Sequence, residues 1–295
     1  MTEERAGATI GRVASRLAWS RRTALRRNVG PSPGRIAIEI KAVAKSFAFK
    51  GSVIQALSPV DLSIPDGAFV SLVGPSGCGK STLLNMIAGI TQPSAGTIIH
   101  EGRPVTGINT RVGYMTQQDS LLPWRTAAEN IGLPLVIRGD DTASIRVRVQ
   151  HMLQQVGLTG FGDHFPSQLS GGMRKRAALA QVLAHDPRTI LMDEPFGALD
   201  AQLKLVLQAQ LLALWESARK TIVFVTHDLA EAILLSDIVV VFSGRPGRIK
   251  AIKEITMARP RDPFHAQFTP AFKEIYVELW ELLAPEISRT AEMAG

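Results

Sequence analysis

The sequence predicts an α/β fold with a mainly parallel central sheet. From residue 36 to about residue 257, short runs of β-branched and aliphatic residues alternate with longer segments of helical periodicity, and this order is typical of parallel strands connected by helices. Three of the runs, 69–73, 189–192 and 221–226, end in polar or glycine-rich segments. Because ligands bind at the carboxyl ends of strands in open parallel sheets, we expect these three ends to form one site.

The positive charge of the chain is concentrated in an N-terminal tail. Of a net charge of +7 in 295 residues, residues 1–35 contribute eight arginines against two glutamates. The rest of the chain is nearly neutral, so it offers no obvious surface for a nucleic acid. We predict that residues 1–35 form a basic flexible tail, either as a disordered arm or as a helix on a membrane surface.

The composition also excludes two classes of protein. The most apolar stretch, residues 221–242, is interrupted by four titratable residues, so it cannot cross a bilayer. A single cysteine, Cys78, excludes an internal disulfide framework and is compatible with a reducing cytosol. The sequence therefore predicts a chain that does not span a membrane.

A phosphate-binding loop follows the first of the three predicted strands. The stretch GPSGCGKST fits the P-loop pattern G-x-x-x-x-G-K-[ST] and precedes a helical segment. Its glycines let backbone N–H groups point at phosphates, Lys80 can reach the terminal phosphates, and the Ser81 hydroxyl can bind Mg²⁺. We therefore expect ATP and Mg²⁺ as ligands. The predicted contacts are Gly74, Pro75, Ser76, Gly77, Cys78, Gly79, Lys80, Ser81 and Thr82.

Two adjacent carboxylates follow the second predicted strand. Asp193 and Glu194 would be costly to bury unpaired, whereas a metal ion and a water molecule would use both. We expect Asp193 to bind Mg²⁺ and Glu194 to act as the base toward the attacking water. An exposed acidic turn before Pro195 is the alternative, which the nearby P-loop disfavours.

The segment LSGGM at 169–173 resembles the signature motif of ABC ATPases, and residues 36–257 resemble that family throughout. Ser170 can cap a helix whose first residues, Gly171 and Gly172, present free N–H groups to an anion. The resemblance implies a P-loop NTPase of ABC type with an antiparallel β portion. The stretch at about 118–188 is poor in strand signals and is predicted to form a helical subdomain. The resemblance also implies a homodimer with ATP sandwiched between the two copies. Met173 stands where the motif usually has glutamine.

Further matches to this family follow in its usual order. Gln117 resembles the glutamine that contacts Mg²⁺ and the attacking water, with Gln118 beside it. Asp200 resembles the end of a loop that crosses the dimer interface. His227 resembles the switch histidine that binds the γ-phosphate. Phe47 resembles the aromatic residue that stacks on adenine; Phe49 is an alternative, and a place in the core is an equally good interpretation.

Two short stretches resemble importers of the nitrate, sulfonate and taurine type: residues 121–126, LLPWRT, and residues 244–249, GRPGRI. This resemblance implies an ATP-hydrolysing subunit on the cytoplasmic face of the inner membrane, working with transmembrane permease subunits and indirectly with a solute-binding protein. Residues 121–124 would then form the surface that couples hydrolysis to the permease. Alternatively, they are buried inside the helical subdomain.

Two functions other than transport are the alternatives. A soluble ABC ATPase acting on nucleic acid would be stimulated by that nucleic acid. A P-loop kinase would yield a phosphorylated product and have no use for residues 169–173.

Residues 258–295 are predicted to form a helical extension that packs on the nucleotide-binding domain. Four prolines are expected to interrupt it: Pro260, Pro263, Pro270 and Pro285.

Overall fold

A computed structural model describes residues 34–49, 51–118, 120–197 and 199–292 of the chain, without the side chains of Phe49 and of residues 290–292. The predicted tail, residues 1–35, lies outside the described residues except for its last two. No helix in the described ranges combines the length and the apolar character that a bilayer crossing requires.

Ten strands form two sheets in the described part of the chain. Their bounds are β1 (Ile36–Phe49), β2 (Ser52–Pro65), β3 (Phe69–Val73), β4 (Ala95–His100), β5 (Arg103–Pro104), β6 (Val112–Met115), β7 (Thr189–Asp193), β8 (Thr221–Val225), β9 (Ile238–Phe242) and β10 (Ile249–Glu254). One sheet is antiparallel, with the order β2-β1-β4-β5. The other has the order β10-β9-β3-β8-β7-β6. It is parallel except for the edge strand β10, which confirms the predicted fold class.

The middle of the large sheet is buried on both faces. Every residue of β3, β7 and β8 is buried, because helices cover both sides of a parallel sheet and select continuous aliphatic runs for its strands. β8 lies between β3 and β7, and all three run in the same direction. The three predicted strand ends therefore meet at one edge of the sheet.

The described residues form seven α-helices. They are α1 (Lys80–Ile87), α2 (Ala127–Arg138), α3 (Thr142–Gln155), α4 (Gly171–Ala184), α5 (Ala201–Ala218), α6 (Leu229–Leu235) and α7 (Pro270–Glu292). Between β6 and β7 the chain forms α2, α3, a 3₁₀ turn at Pro166–Gln168 and α4. Side-chain caps define these helix starts: Thr126 and Glu129 make a capping box before α2, and Ser170 Oγ accepts a hydrogen bond from the Met173 N–H before α4.

The C-terminal helix α7 packs on α6 and β9 through one apolar face. Phe272, Ile275, Leu279 and Leu283 are buried there at helical spacing. The expectation that Pro285 interrupts the helix was wrong, because α7 continues through it to Glu292. A proline inside a helix costs roughly 3 kcal/mol, and the buried residues on the preceding turns, together with the buried Glu286 next to it, supply packing that offsets this cost.

Candidate active site

The P-loop connects β3 to α1 and surrounds the side chain of its own lysine. Gly77 and Gly79 have positive φ angles of 74° and 98°, a backbone conformation that side-chain-bearing residues rarely adopt. The Lys80 ammonium donates to the carbonyl oxygens of Gly74 at 2.8 Å and of Pro75 at 2.9 Å. Lys80 is 6% exposed, so its charge is held inside the loop.

A hydroxyl and a carboxylate meet where α1 begins and β7 ends. Ser81 Oγ donates to Asp193 Oδ1 at 3.0 Å. Burial raises the pKa of Asp193, an effect that the Ser81 hydrogen bond opposes and the neighbouring Glu194 reinforces. Mg²⁺ prefers oxygen ligands and usually takes only one or two carboxylates from a protein beside substrate phosphates, so this pair fits Mg²⁺. Nowhere in the described ranges do three or more His, Cys, Asp or Glu side chains form a metal-binding group.

Two side chains from two other segments converge on the carboxylate of Glu194. Gln117 Nε2 donates to Glu194 Oε2 at 3.2 Å, and His227 Nδ1 lies 3.4 Å from the same oxygen. Glu194 itself has a φ of +46°, an unfavourable conformation for a non-glycine residue that is common at active sites. Its N–H is held by the carbonyl oxygen of Val225 on the neighbouring strand β8, at 3.0 Å.

These residues line an open cleft of about 470 Å³ beside the P-loop. The lining residues are Ser76, Gly77, Gly79, Lys80, Ser81, Thr82, Gln117, Glu194 and His227. Cys78 is fully buried behind the loop, and burial raises the pKa of its thiol although Lys80 opposes the effect. The structure therefore brings most of the predicted P-loop, Gln117, Glu194 and His227 into one cavity.

The remaining predicted site residues lie outside this cleft. Phe47 on β1 is 42% exposed, and the Lys45 ammonium lies 5.0 Å from the centre of its ring. Ser170 and Gly171 are exposed at the start of α4. Asp200 is exposed and caps α5 by accepting from the Leu203 N–H at 2.9 Å. Ala198, in the same predicted interface loop, lies outside the described residues.

Gly172 is buried where the starts of α4 and α5 meet. A Cβ atom at this position would lie 2.0 Å from Leu203 Cδ2. Because a side chain there would displace the end of the Leu203 side chain, the glycine lets Leu203, on the helix that follows Asp200, pack directly against the helix that follows Ser170. The two predicted interface segments are thus held next to each other by this contact.

Two lysines at the site were not found by sequence reasoning. The Lys175 ammonium, on α4, donates to the Gln117 carbonyl oxygen at 2.6 Å. Lys204, on α5, contacts Glu231 Oε1 at 2.9 Å and Asp228 Oδ2 at 3.3 Å, next to His227. The position of Lys175 one turn after Gly171 was the sole signal available, since both contacts join residues that are distant in the chain.

The predicted coupling segment is fixed by hydrogen bonds to one buried side chain and is only partly buried. Leu121 is 8% exposed, whereas Trp124 is 70% exposed. The side chain of the fully buried Asn130 holds the loop: its Oδ1 accepts from the Leu122 N–H at 2.7 Å, and its Nδ2 donates to the carbonyl oxygens of Leu122 and Arg125 at 3.1 and 3.0 Å. The alternative of a wholly buried cluster is therefore wrong for Trp124 and right for Leu121.

The fold and the cleft together define a nucleotide-binding P-loop protein. Residues 57–197 match the family model described as ABC transporter. The chain is 42% identical to an uncharacterized ABC transporter ATP-binding protein of Methanocaldococcus jannaschii, over 82% of this chain and 90% of that protein. It is 38% identical to the aliphatic sulfonates import ATP-binding protein SsuB of Bacillus cereus, over 81% and 94%.

Solved structures agree with this assignment. The chain is similar to a dimeric structure of the ATP-binding cassette MJ0796 in a post-hydrolysis state bound to ADP and Pi, with a TM-score of 0.69, 32% identity, and coverage of 75% of this chain and all of that one. The chain belongs to the ABC transporter family, as one of its ATP-binding, ATP-hydrolysing subunits. The resemblance carried by residues 169–173 is thereby confirmed.

Proposed function

We propose that this chain powers the uptake of a small solute, of the aliphatic sulfonate, nitrate or taurine type, through separate transmembrane permease subunits. The observation that carries the proposal is Trp124, an exposed tryptophan a few residues after Gln117, on a loop that is hydrogen-bonded to the buried Asn130 side chain. The sulfonate import relative supports the direction of transport and the solute class. The chain would act as a peripheral protein on the cytoplasmic face of the inner membrane, supplied with solute by a binding protein outside.

The cleft supports a division of roles among its side chains. The P-loop N–H groups and Lys80 bind the phosphates of ATP, and the Glu194 carboxylate accepts a proton from the water that attacks the terminal phosphorus as the bond to ADP breaks. Gln117 orients that water, and His227 donates to the terminal phosphate. Ser81, Asp193 and Gln117 would hold Mg²⁺, which would supply positive charge that offsets the charge on the phosphates.

The remaining residues fit a second copy of the chain. Ser170, Gly171 and Asp200 are exposed and grouped by the packing at Gly172, and the N-terminus of α4 offers free N–H groups to an anion. We infer that they contact ATP held by the P-loop of the other copy, in a homodimer with two shared sites. The dimeric form of the MJ0796 cassette supports this arrangement.

We also propose an adenine contact and the bounds of the nucleotide-binding domain. Phe47, exposed on β1, is proposed to stack on adenine. Residues 36–257 would form the nucleotide-binding domain, with residues 118–188 as its helical subdomain and 258–295 as an added extension. The loop that carries Trp124 belongs to the helical subdomain, so a movement of Gln117 on ATP binding reaches it through few residues.

The test is to purify the chain with its candidate permease and to measure ATP hydrolysis in vesicles with and without an aliphatic sulfonate, nitrate or taurine and the solute-binding protein. Stimulation by one of these solutes, with uptake into the vesicles, supports the proposal. Stimulation by DNA or RNA instead would favour a soluble ATPase that acts on nucleic acid. Transfer of the phosphate to a small molecule, in place of free phosphate release, would favour a kinase.

A further inference from the structure

A turn between β9 and β10 supports the P-loop from the side opposite to the cleft. A Cβ atom at Gly247 would lie 1.8 Å from the carbonyl oxygen of Cys78, so the turn and the loop are in direct backbone contact. Cys78 is fully buried, while Gly77 and Gly79 line the cleft. Gly247 therefore packs behind the loop, in the segment 244–249 whose role the proposed function leaves open.

The same turn is also bound to the strand beside the loop. The Gly247 N–H donates to the Ala56 carbonyl oxygen at 3.1 Å, and the Ser58 N–H donates to the Gly247 carbonyl oxygen at 2.8 Å. Ala56 in turn contacts the P-loop, because a Cβ at Gly79 would lie 3.0 Å from its carbonyl oxygen. A loop rich in glycine has many accessible conformations, so these contacts behind it restrict the directions of its N–H groups.

The turn is held in place by the C-terminal helix α7. Glu286 Oε2 accepts from the Gly244 N–H at 3.1 Å, and Glu286 Oε1 lies 2.8 Å from the Lys250 ammonium. The Lys250 ammonium also donates to the Leu282 carbonyl oxygen at 2.8 Å. The Glu286 side chain is only 8% exposed, and a second cation, Arg289 on the same helix, lies 3.5 Å from Glu286 Oε1. Hydrogen bonds to an ionised carboxylate are stronger than those between neutral groups.

We propose that Glu286 is a positioning residue for ATP binding: it fixes the turn at 243–248, and the turn fixes the P-loop in the conformation that receives phosphates. The C-terminal extension thus contributes to nucleotide affinity without contacting the nucleotide. This inference rests on the proposal that the P-loop binds the phosphates of ATP.

The chain offers a matched control on the same two elements. Lys253 on β10 and Glu278 on α7 form an exposed ion pair at 2.7 Å, and this pair does not include any residue of the turn. Replacing Glu278 therefore breaks an ion pair between helix and strand without removing a contact to residues 243–248. Glu286→Ala and Glu278→Ala can be compared directly.

The experiment measures the Kd for ATP in the presence of Mg²⁺, the kcat at saturating ATP, and the Tm of the full chain and its variants. Glu286→Ala should raise the Kd about three- to tenfold. This is the size expected if part of the free energy lost with the hydrogen bond to the charged carboxylate weakens the P-loop conformation that binds ATP. The kcat should stay within about twofold of wild type, because the effect is on binding rather than on chemistry. Glu278→Ala should leave the Kd unchanged.

An unchanged Kd in folded Glu286→Ala, or an equal rise in Glu278→Ala, would overturn the inference. If Glu286→Ala does not fold, Glu286→Leu decides, because leucine fills a similar volume but can neither accept from the Gly244 N–H nor pair with Lys250; an unchanged Kd there also overturns it. Lys80→Ala distinguishes the proposed phosphate site from the proposed positioning role of Glu286. If Lys80→Ala still binds ATP tightly, the proposed phosphate site itself is wrong, whereas loss of binding there with no effect at Glu286 refutes only the positioning role.

Discussion

Replacing Glu194 by glutamine should separate ATP binding from ATP hydrolysis. The substitution keeps the shape of the side chain and removes the group that can accept a proton from water. In the structure Glu194 Oε2 is approached by Gln117 Nε2 at 3.2 Å and by His227 Nδ1 at 3.4 Å, so the three side chains form one cluster at the place proposed for the attacking water. Lys80, Ser81 and Asp193 make their contacts without Glu194 and should still hold the nucleotide.

The size of the effect follows from general-base catalysis. Such a base contributes about 10²- to 10⁴-fold to the rate, which corresponds to about 3 to 5 kcal/mol in the activation barrier. The measurement is phosphate release at saturating ATP and Mg²⁺, together with the Kd for ATP and the size of the protein in gel filtration with ATP. Glu194→Gln should hydrolyse slowly, bind ATP normally and form a dimer with ATP.

Lys80→Ala serves as the contrasting variant. Lys80 is the buried cation of the P-loop, so its loss should weaken ATP binding itself, and dimer formation with it. Hydrolysis near the wild-type rate in Glu194→Gln would remove Glu194 from the mechanism. A loss of ATP binding in Glu194→Gln as severe as in Lys80→Ala would show that binding and catalysis are not separate roles of these two residues.

Three further predictions concern the predicted coupling segment at residues 121–124, the dependence of stability on pH, and the N-terminal tail. Trp124→Ala should weaken permease association and solute-stimulated hydrolysis with little change in Tm, because Trp124 is 70% exposed. Leu121→Ala should instead lower the free energy of unfolding by about 2 to 5 kcal/mol, because Leu121 is buried. A large loss of Tm with normal assembly in Trp124→Ala would contradict this prediction. Burial lowers the pKa of His100, whose Nε2 lies 2.9 Å from Thr189 Oγ1. The folded protein therefore favours the neutral imidazole, so the contribution of His100 to stability is complete above pH 6.5 and decreases as the pH falls below 6.5 toward the lowered pKa. Urea unfolding of wild type and His100→Gln should show a weaker acid dependence in the variant, and equal slopes would exclude His100. Removal of residues 1–33 should leave hydrolysis unchanged and, if the arginines bind anionic lipid, reduce vesicle co-sedimentation at low salt; loss of hydrolysis would make the tail part of the folded enzyme.

The local features of this protein could be predicted because the residues that form them are neighbours in the chain. The P-loop needs glycines, a lysine and a serine at fixed spacing between a strand and a helix, and all are contiguous. Ser170 caps α4 through the N–H of Met173, a contact over three residues. The strand ends could be placed at one sheet edge because parallel strands of buried aliphatic residues leave few alternatives.

The tertiary structure alone decided which of several adjacent residues face solvent and which distant residues meet. Leu121 and Trp124 have similar apolar character, yet one is buried and the other exposed, because Asn130 fixes the loop between them. Glu286 reaches Gly244, and Lys175 reaches Gln117, across 42 and 58 residues of chain. Such contacts depend on how α4 and α7 pack against the rest of the domain. That packing minimises exposed apolar surface over the whole molecule, and no short window of sequence contains it.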